Sequence, residues 1–230
     1  MVERLPVFLD ANPSEGFPDP EGYDEEGLLA VGGDLAPARL LEAYRSGIFP
    51  WYDEGYIPMW WSPDPRANFD PDSLHISRSL AKTLRRADFR LTWNTCFERV
   101  MRACGERRAG GTWIIPEMLA AYTQLHRMGH AHSLEVWIDT ELVGGTYGVQ
   151  VGGLFAAESK FHRVTDMSKV AVVALVRSLF RKGITLLDVQ MPTEHLISLG
   201  VQQCSRRDYL SKLAVARDQM IDLTDLTPSV

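Results

Sequence analysis

The 230-residue sequence has no long apolar run, and no stretch approaches the roughly 20 residues that cross a bilayer. Its first 26 residues contain no basic region followed by an apolar stretch, so we expect no secretory signal, no membrane contact and a cytoplasmic location. Cysteine is also scarce, because Cys96, Cys104 and Cys204 are odd in number and widely spaced. That spacing favours reduced thiols over a disulfide framework.

The usual signatures of a nucleotide or metal cofactor are missing as well. The glycine-rich stretch GGTYGVQVGG (144–153) lacks the GxGxxG order and lies in a strand-rich region, so we interpret it as a hairpin. His126, His130 and His132 resemble metal ligands, but Gly129 is predicted to end a helix between the first two. No cysteine or paired carboxylate completes the set, so we expect neither a metal nor a cofactor.

Acidic residues are concentrated at the N-terminus. Residues 1–34 contain nine acidic side chains and one basic side chain, Arg4, for a net charge of −8, whereas the whole chain carries −6. The remainder therefore carries +2. The overall charge argues against a nucleic-acid partner, but its distribution leaves room for basic patches beyond residue 34.

Aromatic side chains cluster in one proline-rich segment, GIFPWYDEGYIPMWWSPDPR (47–66). Trp51, Trp60 and Trp61 are half of the six tryptophans in the chain. An ordinary core spreads its aromatic residues over helices and strands, whereas a recognition surface gathers them on a rigid loop. The segment is therefore a candidate binding surface.

The periodicity of the remaining sequence predicts an α/β (α+β) protein. One helix is predicted from Asp34, as its N-cap, to Gly47, and another has Pro116 in its first turn. Beyond the proline-rich segment the predicted order is helix, strand, two helices, an antiparallel run, a helix and a strand, which indicates a mixed sheet. The proline-rich stretch is the natural boundary, so we predict a small N-terminal domain (1–65) and a larger domain (66–230).

Two polar residues end the apolar strand TLLDVQ (185–190). Because strand side chains alternate, Asp188 and Gln190 are predicted to share a face, and a buried carboxylate and amide need partners or a substrate. They either cap the following turn or take part in function. Glu158 ends another apolar strand in GGLFAAESKFHR (152–163), where a surface carboxylate is the alternative.

One predicted helix carries a basic stripe. Arg78, Lys82, Arg85 and Arg86 stand at positions i, i+4, i+7 and i+8, which puts four cations on one helical face. Asp88 is the only acidic residue near them, whereas a solvated helix usually mixes both signs. The stripe is therefore predicted to bind phosphates, with an exposed basic face as the alternative.

The chain resembles the leucyl/phenylalanyl-tRNA–protein transferases in ten short sequence motifs, which occur in order over roughly residues 17–213. The motifs are GLLAVGGDL, SGIFPWY, WWSPDPR, HISRSL, GTWI, LHRMGHAHSLEVW, LVGGTYGV, LFAAESKF, LLDVQ and SLG…RRDYL. The resemblance implies a small N-terminal domain packed on a domain similar to acyl-CoA N-acyltransferases (GNAT-like) and to peptidoglycan-bridge aminoacyl transferases. It implies transfer of leucine, phenylalanine or methionine from charged tRNA to the α-amino group of proteins that begin with Arg or Lys. Such proteins are thereby marked for degradation by the N-degron route. We expect a monomer.

The resemblance also implies catalytic roles. Asp188 and Gln190 match the family's Asp-x-Gln site, and Glu158 matches its active-site acid. The aminoacyl ester is already activated and the acceptor amine has an ordinary pKa of about 7.7–8.0, so alignment matters more than a strong base. An amide is barely basic, so Gln190 is assigned to hold the attacking amine through its carbonyl oxygen, with Asp188 supporting it. Glu158 is assigned to orient Gln190 and the cationic acceptor.

The aromatic residues receive binding roles from the same resemblance. It implies that Trp51, Trp113 and Phe155 surround the aminoacyl group and the terminal adenosine, since aromatic rings stack on an unpaired base. For Trp60 and Trp61 we favour packing between the two domains.

Two positions depart from the family pattern. Lys160 follows Glu-Ser where a methionine usually helps to line the aminoacyl pocket, and Ala157 replaces a usual glycine. In the outcome we favour, Lys160 extends to the pocket rim and its methylenes replace methionine; in the other, it neutralises Glu158 and the site accepts an acidic N-terminus. An acyl-CoA-dependent N-acyltransferase and a non-catalytic tRNA-binding protein also stay open as functions.

Overall fold

The computed structural model describes residues 4–10, 16–86, 88–106 and 112–230, and in these residues the strands form two sheets. The smaller sheet has the strand order β1-β2-β4-β3. Its strands are β1 (Val7–Leu9), β2 (Leu28–Gly32), β3 (Phe49–Pro50) and β4 (Met59–Trp61). Helix α1 (Pro37–Arg45) connects β2 to β3.

The larger sheet has the strand order β11-β5-β10-β9-β8-β7-β6. Its strands are β5 (Arg66–Phe69), β6 (Arg90–Trp93), β7 (Ala131–Ile138), β8 (Glu141–Val151), β9 (Leu154–His162), β10 (Leu186–Gln190) and β11 (Gln202–Cys204). Strand β10 runs parallel to β9, and the other pairs are antiparallel. The expected α/β fold class with a mixed sheet is therefore confirmed, whereas the division at residues 65 and 66 remains a prediction.

Helices cover both faces of the larger sheet. They are α2 (Arg78–Arg86), α3 (Phe97–Gly105), α4 (Pro116–Arg127), α5 (Met167–Lys182), α6 (Glu194–Ser198) and α7 (Arg206–Ala216). Alternate strand residues face opposite sides, because Ala156 and Leu186 belong to one apolar cluster and Phe155 and Leu187 to the other. Helices α1, α3, α4 and α7 contribute to the first cluster, and α2 and α5 to the second.

The predicted helix ends are correct in part. Pro116 stands in the first turn of α4, and Gly129 follows its end with φ of 83°. The N-cap prediction for α1 is wrong, since that helix begins at Pro37 after Ala36. Proline fits the first helical turn, where its missing N–H needs no partner. The Asp34 carboxylate instead accepts hydrogen bonds from the N–H of Ala36 and from Arg39.

The tryptophan-rich segment builds the smaller sheet. Trp60 is fully buried, donates its indole N–H to the Gly32 carbonyl and meets the ring of Phe17 edge-on at 4.8 Å. Trp61 donates its indole N–H to the Trp51 carbonyl, and the two rings lie 5.9 Å apart. These hydrogen bonds and ring contacts lie within the N-terminal part, whereas we expected packing between the two parts.

Gly27 gives a test of how the N-terminal segment is fixed. Its φ is 75°, and an added Cβ would lie 2.0 Å from the Ser62 carbonyl oxygen. Gly55 has a similar φ of 87° but open space around it. We expect Gly27→Ala to lower the free energy of unfolding by at least about 2 kcal/mol more than Gly55→Ala, measured by urea denaturation. Equal losses would show that the close approach to Ser62 is relieved without cost.

Candidate active site

A buried ion pair joins the beginning of β5 to β10. The Arg66 guanidinium donates to both carboxylate oxygens of Asp188, with Nε to Oδ1 at 3.0 Å and Nη2 to Oδ2 at 2.6 Å. Both side chains are 1% exposed, so the bidentate pair is shielded from water. Burial acts to lower the pKa of Arg66, but the Asp188 carboxylate raises it, and the net direction is upward. The cation therefore stays charged in the interior.

Groups from several elements complete the surroundings of this pair. Arg66 donates through Nη1 to the Gly47 carbonyl at 2.9 Å, and the Tyr209 hydroxyl donates to Asp188 at 3.0 Å. The guanidinium also lies 5.0 Å from the ring centroid of Phe49 and 4.4 Å from that of Tyr209. Sequence reasoning assigned no role to Arg66 or Tyr209, although both stand in strings that carry the family resemblance, WWSPDPR and RRDYL.

Gln190 is held in an unusual backbone conformation. Its φ is 60°, and the register between β10 and β5 shifts between Asp188 and Gln190. Its backbone N–H donates to Asp188 Oδ1 at 2.9 Å. Left-handed backbone at a non-glycine residue costs about 1–3 kcal/mol and persists only where the surroundings impose it. The position of Gln190 is therefore set by the hydrogen bond from its backbone N–H to the Asp188 carboxylate, and not by simple strand alternation.

The Gln190 side chain reaches a second buried network. Its amide Nε2 donates to Glu158 Oε1 at 2.9 Å, and the Tyr44 hydroxyl donates to the same oxygen at 2.8 Å. Tyr44 shares a further hydrogen bond with the Tyr122 hydroxyl at 2.5 Å. Because the Gln190 amide nitrogen faces Glu158, its carbonyl oxygen is the end left for another group, and it accepts no hydrogen bond from the described residues.

Glu158 lies in the middle of β9, not at the end of a strand as expected, because the polar residues after it still pair with β8. Burial raises its pKa from 4.5 to about 8, and the charge of Asp188 adds to the increase. The hydrogen bonds from Tyr44 and Gln190 and the charge of Arg66 oppose it. A carboxyl group with this pKa can take up and release a proton near neutral pH.

A cavity of about 370 Å³ opens beside Glu158 and Gln190. Trp51, Trp113 and Lys160, to which the resemblance gives aminoacyl-binding roles, line it. Its remaining wall is mostly apolar and comes from the two strands and from α5 and α6, through Phe69, Val172, Leu175, Val176, Leu187, Val189 and Leu196. An apolar cavity with a few convergent polar groups is the usual form of a small-ligand site.

Two of the predicted site residues do not reach this cavity. Asp188 is fully buried behind Gln190, and its four hydrogen bonds come from Arg66, Tyr209 and the Gln190 backbone. Phe155 is also fully buried and lies 6.4 Å from the ring centroid of Trp93. Phe155 belongs to the same apolar cluster as the cavity wall, but it does not line the cavity, and the register of β9 with β8 shifts at Glu158, between the pairs Gly148–Ala157 and Tyr147–Ser159.

Lys160 and the predicted basic stripe are both accessible to ligands. Lys160 is partly buried at the cavity and is close enough to His195 to act on its pKa, which burial lowers first and Lys160 lowers further, to about 4. The four cations of the stripe are exposed on α2: Arg78, Lys82, Arg85 and Arg86. Arg86 pairs with Asp88 at 2.8 Å.

The histidines considered as metal ligands have other partners. His132 contacts the side chains of Asn94 at 2.9 Å and Gln150 at 3.2 Å, and His126 contacts the Ala131 carbonyl at 2.8 Å. Within the described ranges, no group of three or more His, Cys, Asp or Glu could hold a metal. No helix among those residues is both long enough and apolar enough to cross a membrane.

Comparison with protein families finds two matches. The family model described as leucyl/phenylalanyl-tRNA protein transferase matches residues 69–214, and the model of that family's N-terminal domain matches residues 33–64. A transferase of that name from Chromobacterium violaceum is 55% identical over 90% of this chain and 87% of its own. Another from Magnetococcus marinus is 50% identical over 94% of this chain and 95% of its own.

Solved structures align less closely. A GCN5-related N-acetyltransferase from Kribbella flavida aligns with 71% of this chain and 59% of its own, at 12% identity and a TM-score of 0.41. The structure of L-PGS from Bacillus licheniformis aligns with 74% of this chain and 57% of its own, at 12% identity and a TM-score of 0.40. Likenesses at these TM-scores carry no argument about the chain.

The raised pKa of Glu158 predicts a pH-dependent stability. Between about pH 4.5 and 8 the folded protein holds a proton that the unfolded chain has lost, so the free energy of unfolding falls as pH rises. Glu158→Gln has no carboxyl proton to hold, so its free energy of unfolding should not show this fall. In urea denaturation, the free energy of unfolding of the variant minus that of wild type should increase by about 1–3 kcal/mol from pH 5 to pH 8. Glu141→Gln, at the exposed start of β8, is the matched control and should follow wild type. Parallel curves for wild type and Glu158→Gln would contradict the prediction.

Proposed function

The chain belongs to the leucyl/phenylalanyl-tRNA–protein transferase family, and we propose that it transfers leucine, phenylalanine or methionine from aminoacyl-tRNA to proteins whose first residue is Arg or Lys. The proposal includes a monomeric enzyme that works in the cytoplasm, where charged tRNA is available, and marks its acceptors for the N-degron route. One observation carries it: a preorganised Gln190 amide between Asp188 and Glu158 at the side of an aromatic, apolar cavity.

The cavity suits an aminoacyl-adenosine end. Its aliphatic wall matches a leucine, methionine or phenylalanine side chain, because burying apolar surface is favourable and burying a polar side chain there is not. Trp51 is 42% exposed at this cavity, so its ring can stack on an unpaired base. Lys160 adds methylenes to the wall while its ammonium reaches toward the rim.

The reaction needs alignment and two proton transfers. Glu158, as a carboxylate, takes a proton from the acceptor ammonium, whose ordinary pKa of about 7.7–8.0 lies close to its own pKa of about 8. The Gln190 carbonyl oxygen accepts a hydrogen bond from the neutral amine and directs it at the ester carbon. The new C–N bond forms and the bond to the ribose 3′ oxygen breaks, and the second proton that the nitrogen loses leaves on that oxygen.

Asp188 acts as a positioning residue in this scheme. It has no exposed surface from which to touch substrate, and its carboxylate fixes the left-handed backbone of Gln190. Arg66 keeps that carboxylate charged and oriented. The amide is thus aimed before the substrate arrives, so little ordering is left for the moment of reaction.

A transfer assay tests the function and the site together. Radiolabelled leucine supplied as Leu-tRNA should be transferred to Arg- and Lys-initiated peptides, and not to Asp- or Glu-initiated ones. Gln190→Ala and Asp188→Ala should lower turnover by about 10²-fold or more, with a much smaller change in aminoacyl-tRNA binding. Gln202→Ala, at an exposed amide on β11, is the control.

Each other result of that assay has a definite meaning. Full activity in both site variants would contradict the site assignment. Transfer to acidic peptides, reversed by Lys160→Met, would support the altered acceptor specificity instead. Binding of Leu-tRNA without transfer to any peptide would favour a tRNA-binding protein, and activity with acyl-CoA would favour an N-acyltransferase.

The basic stripe on α2 predicts the salt dependence of tRNA binding. Charge reversal at Arg78, Lys82, Arg85 or Arg86 should weaken binding, because each phosphate contact releases counterions. Each lost contact should reduce the slope of log K against log salt by about one. Arg127→Glu, an exposed cation on α4, is the control. An unchanged slope in the stripe variants would mean that α2 is merely solvated.

A further inference from the structure

A second cavity lies directly beside the first. It has a volume of about 440 Å³, and Phe49, Trp51 and Met191 line both. Its own wall is mostly aromatic and proline, with Trp61 on one side and Pro192 on another. Gln190 lines the first cavity, and the next residue, Met191, lines both, so Gln190 lies close to the boundary between the two cavities.

Three acidic residues complete the lining of this second groove: Glu25, Glu26 and Asp64. No lysine or arginine is among its lining residues. Within the part of the chain that the structure describes, none of the three carboxylates forms an ion pair. The Asp64 carboxylate accepts a hydrogen bond from the Arg206 backbone N–H at 3.1 Å and interacts with the charge of Arg206. The groove therefore combines apolar walls with an acidic rim on which Glu25 and Glu26 form no ion pair among the described residues.

The segment that carries the two glutamates is firmly held. The Glu25 carbonyl accepts a hydrogen bond from the Asp64 N–H at 2.9 Å, and the Gly27 carbonyl accepts one from the Ser62 N–H at 2.8 Å. Arg206 is 4% exposed and donates to the carbonyls of the preceding turn: Pro20, Tyr23 and Asp24. The carboxylates thus project from a fixed backbone, which reduces the entropy lost on binding.

We infer that this groove binds the side chain of the acceptor protein's first residue and that Glu25, Glu26 and Asp64 select Arg or Lys there. The inference rests on the proposed function. A long cationic side chain has an aliphatic stem that packs on aromatic rings, and a charged end that attracts carboxylates and the face of tryptophan. The walls and the rim of the groove match these two halves.

Glu158 is poorly suited to this selection, although we first assigned it the cationic acceptor. Its Oε1 already accepts from Tyr44 and Gln190, and in the proposed reaction it becomes neutral when it takes the proton of the acceptor ammonium. A neutral carboxyl group attracts a cation weakly. A preference for a cationic first residue of the acceptor therefore needs other carboxylates. Those of Glu25, Glu26 and Asp64 lie in the groove beside the proposed site of the reacting amine.

The test compares a charged and an uncharged acceptor of nearly the same shape. Peptides that begin with arginine and with citrulline are assayed with Leu-tRNA and with the double variant Glu25→Gln, Glu26→Gln. We expect KM for the arginine peptide to rise about three- to tenfold, as exposed charge pairs typically allow, while KM for the citrulline peptide stays within twofold. The difference should shrink with added salt, since exposed charges are screened.

Controls separate charge recognition from structural effects. KM for Leu-tRNA should be unchanged in the double variant, and Glu141→Gln should behave as wild type with both peptides. A rise in KM that is equal for arginine and citrulline, or no rise for either, would overturn the inference while the proposed function stands. A wild type that transfers to no peptide would overturn both.

Discussion

The bidentate pair between Arg66 and Asp188 is the constraint on which the site depends. Desolvating both ions costs several kcal/mol each, so the pair is tolerated only with good geometry and full hydrogen bonding. Tyr209, the Gly47 carbonyl and the Gln190 N–H provide that bonding from α7, the end of α1 and β10. One interaction thereby fixes the relative positions of the smaller sheet, the larger sheet and the C-terminal helix at the point where the chemistry is proposed.

That fixed position explains a backbone that is otherwise unfavourable. Gln190 bears a left-handed φ because the Asp188 carboxylate holds its N–H, and the resulting bulge turns its side chain toward Glu158. Tyr44 and Tyr122 hold Glu158 from the other side. Gln190 is therefore hydrogen-bonded into both networks, to Asp188 through its backbone N–H and to Glu158 through its side-chain amide.

Sequence reasoning predicted the local features and missed the long-range ones. The helices, the mixed sheet and the polar end of β10 follow from periodicity, because each is encoded within a few neighbouring residues. Arg66 is 122 residues from Asp188, and Tyr44 is 114 residues from Glu158, so no spacing rule joins them. The family resemblance named Glu158 and Gln190, whose side chains share a hydrogen bond. It also named Phe155, which is buried in the same apolar cluster as the cavity wall but does not line the cavity.

The acidic and basic residues that are separated in the sequence also lie on different parts of the structure. The N-terminal segment holds a net −8, and two of its acids line the groove beside the cavity, whereas α2 presents four exposed cations on a different element. A tRNA and a cationic protein N-terminus need opposite potentials, and a single uniformly charged face would repel one of them. In the proposed function, separate acidic and basic surfaces would let both approach one reaction centre, although the overall charge of the chain is −6.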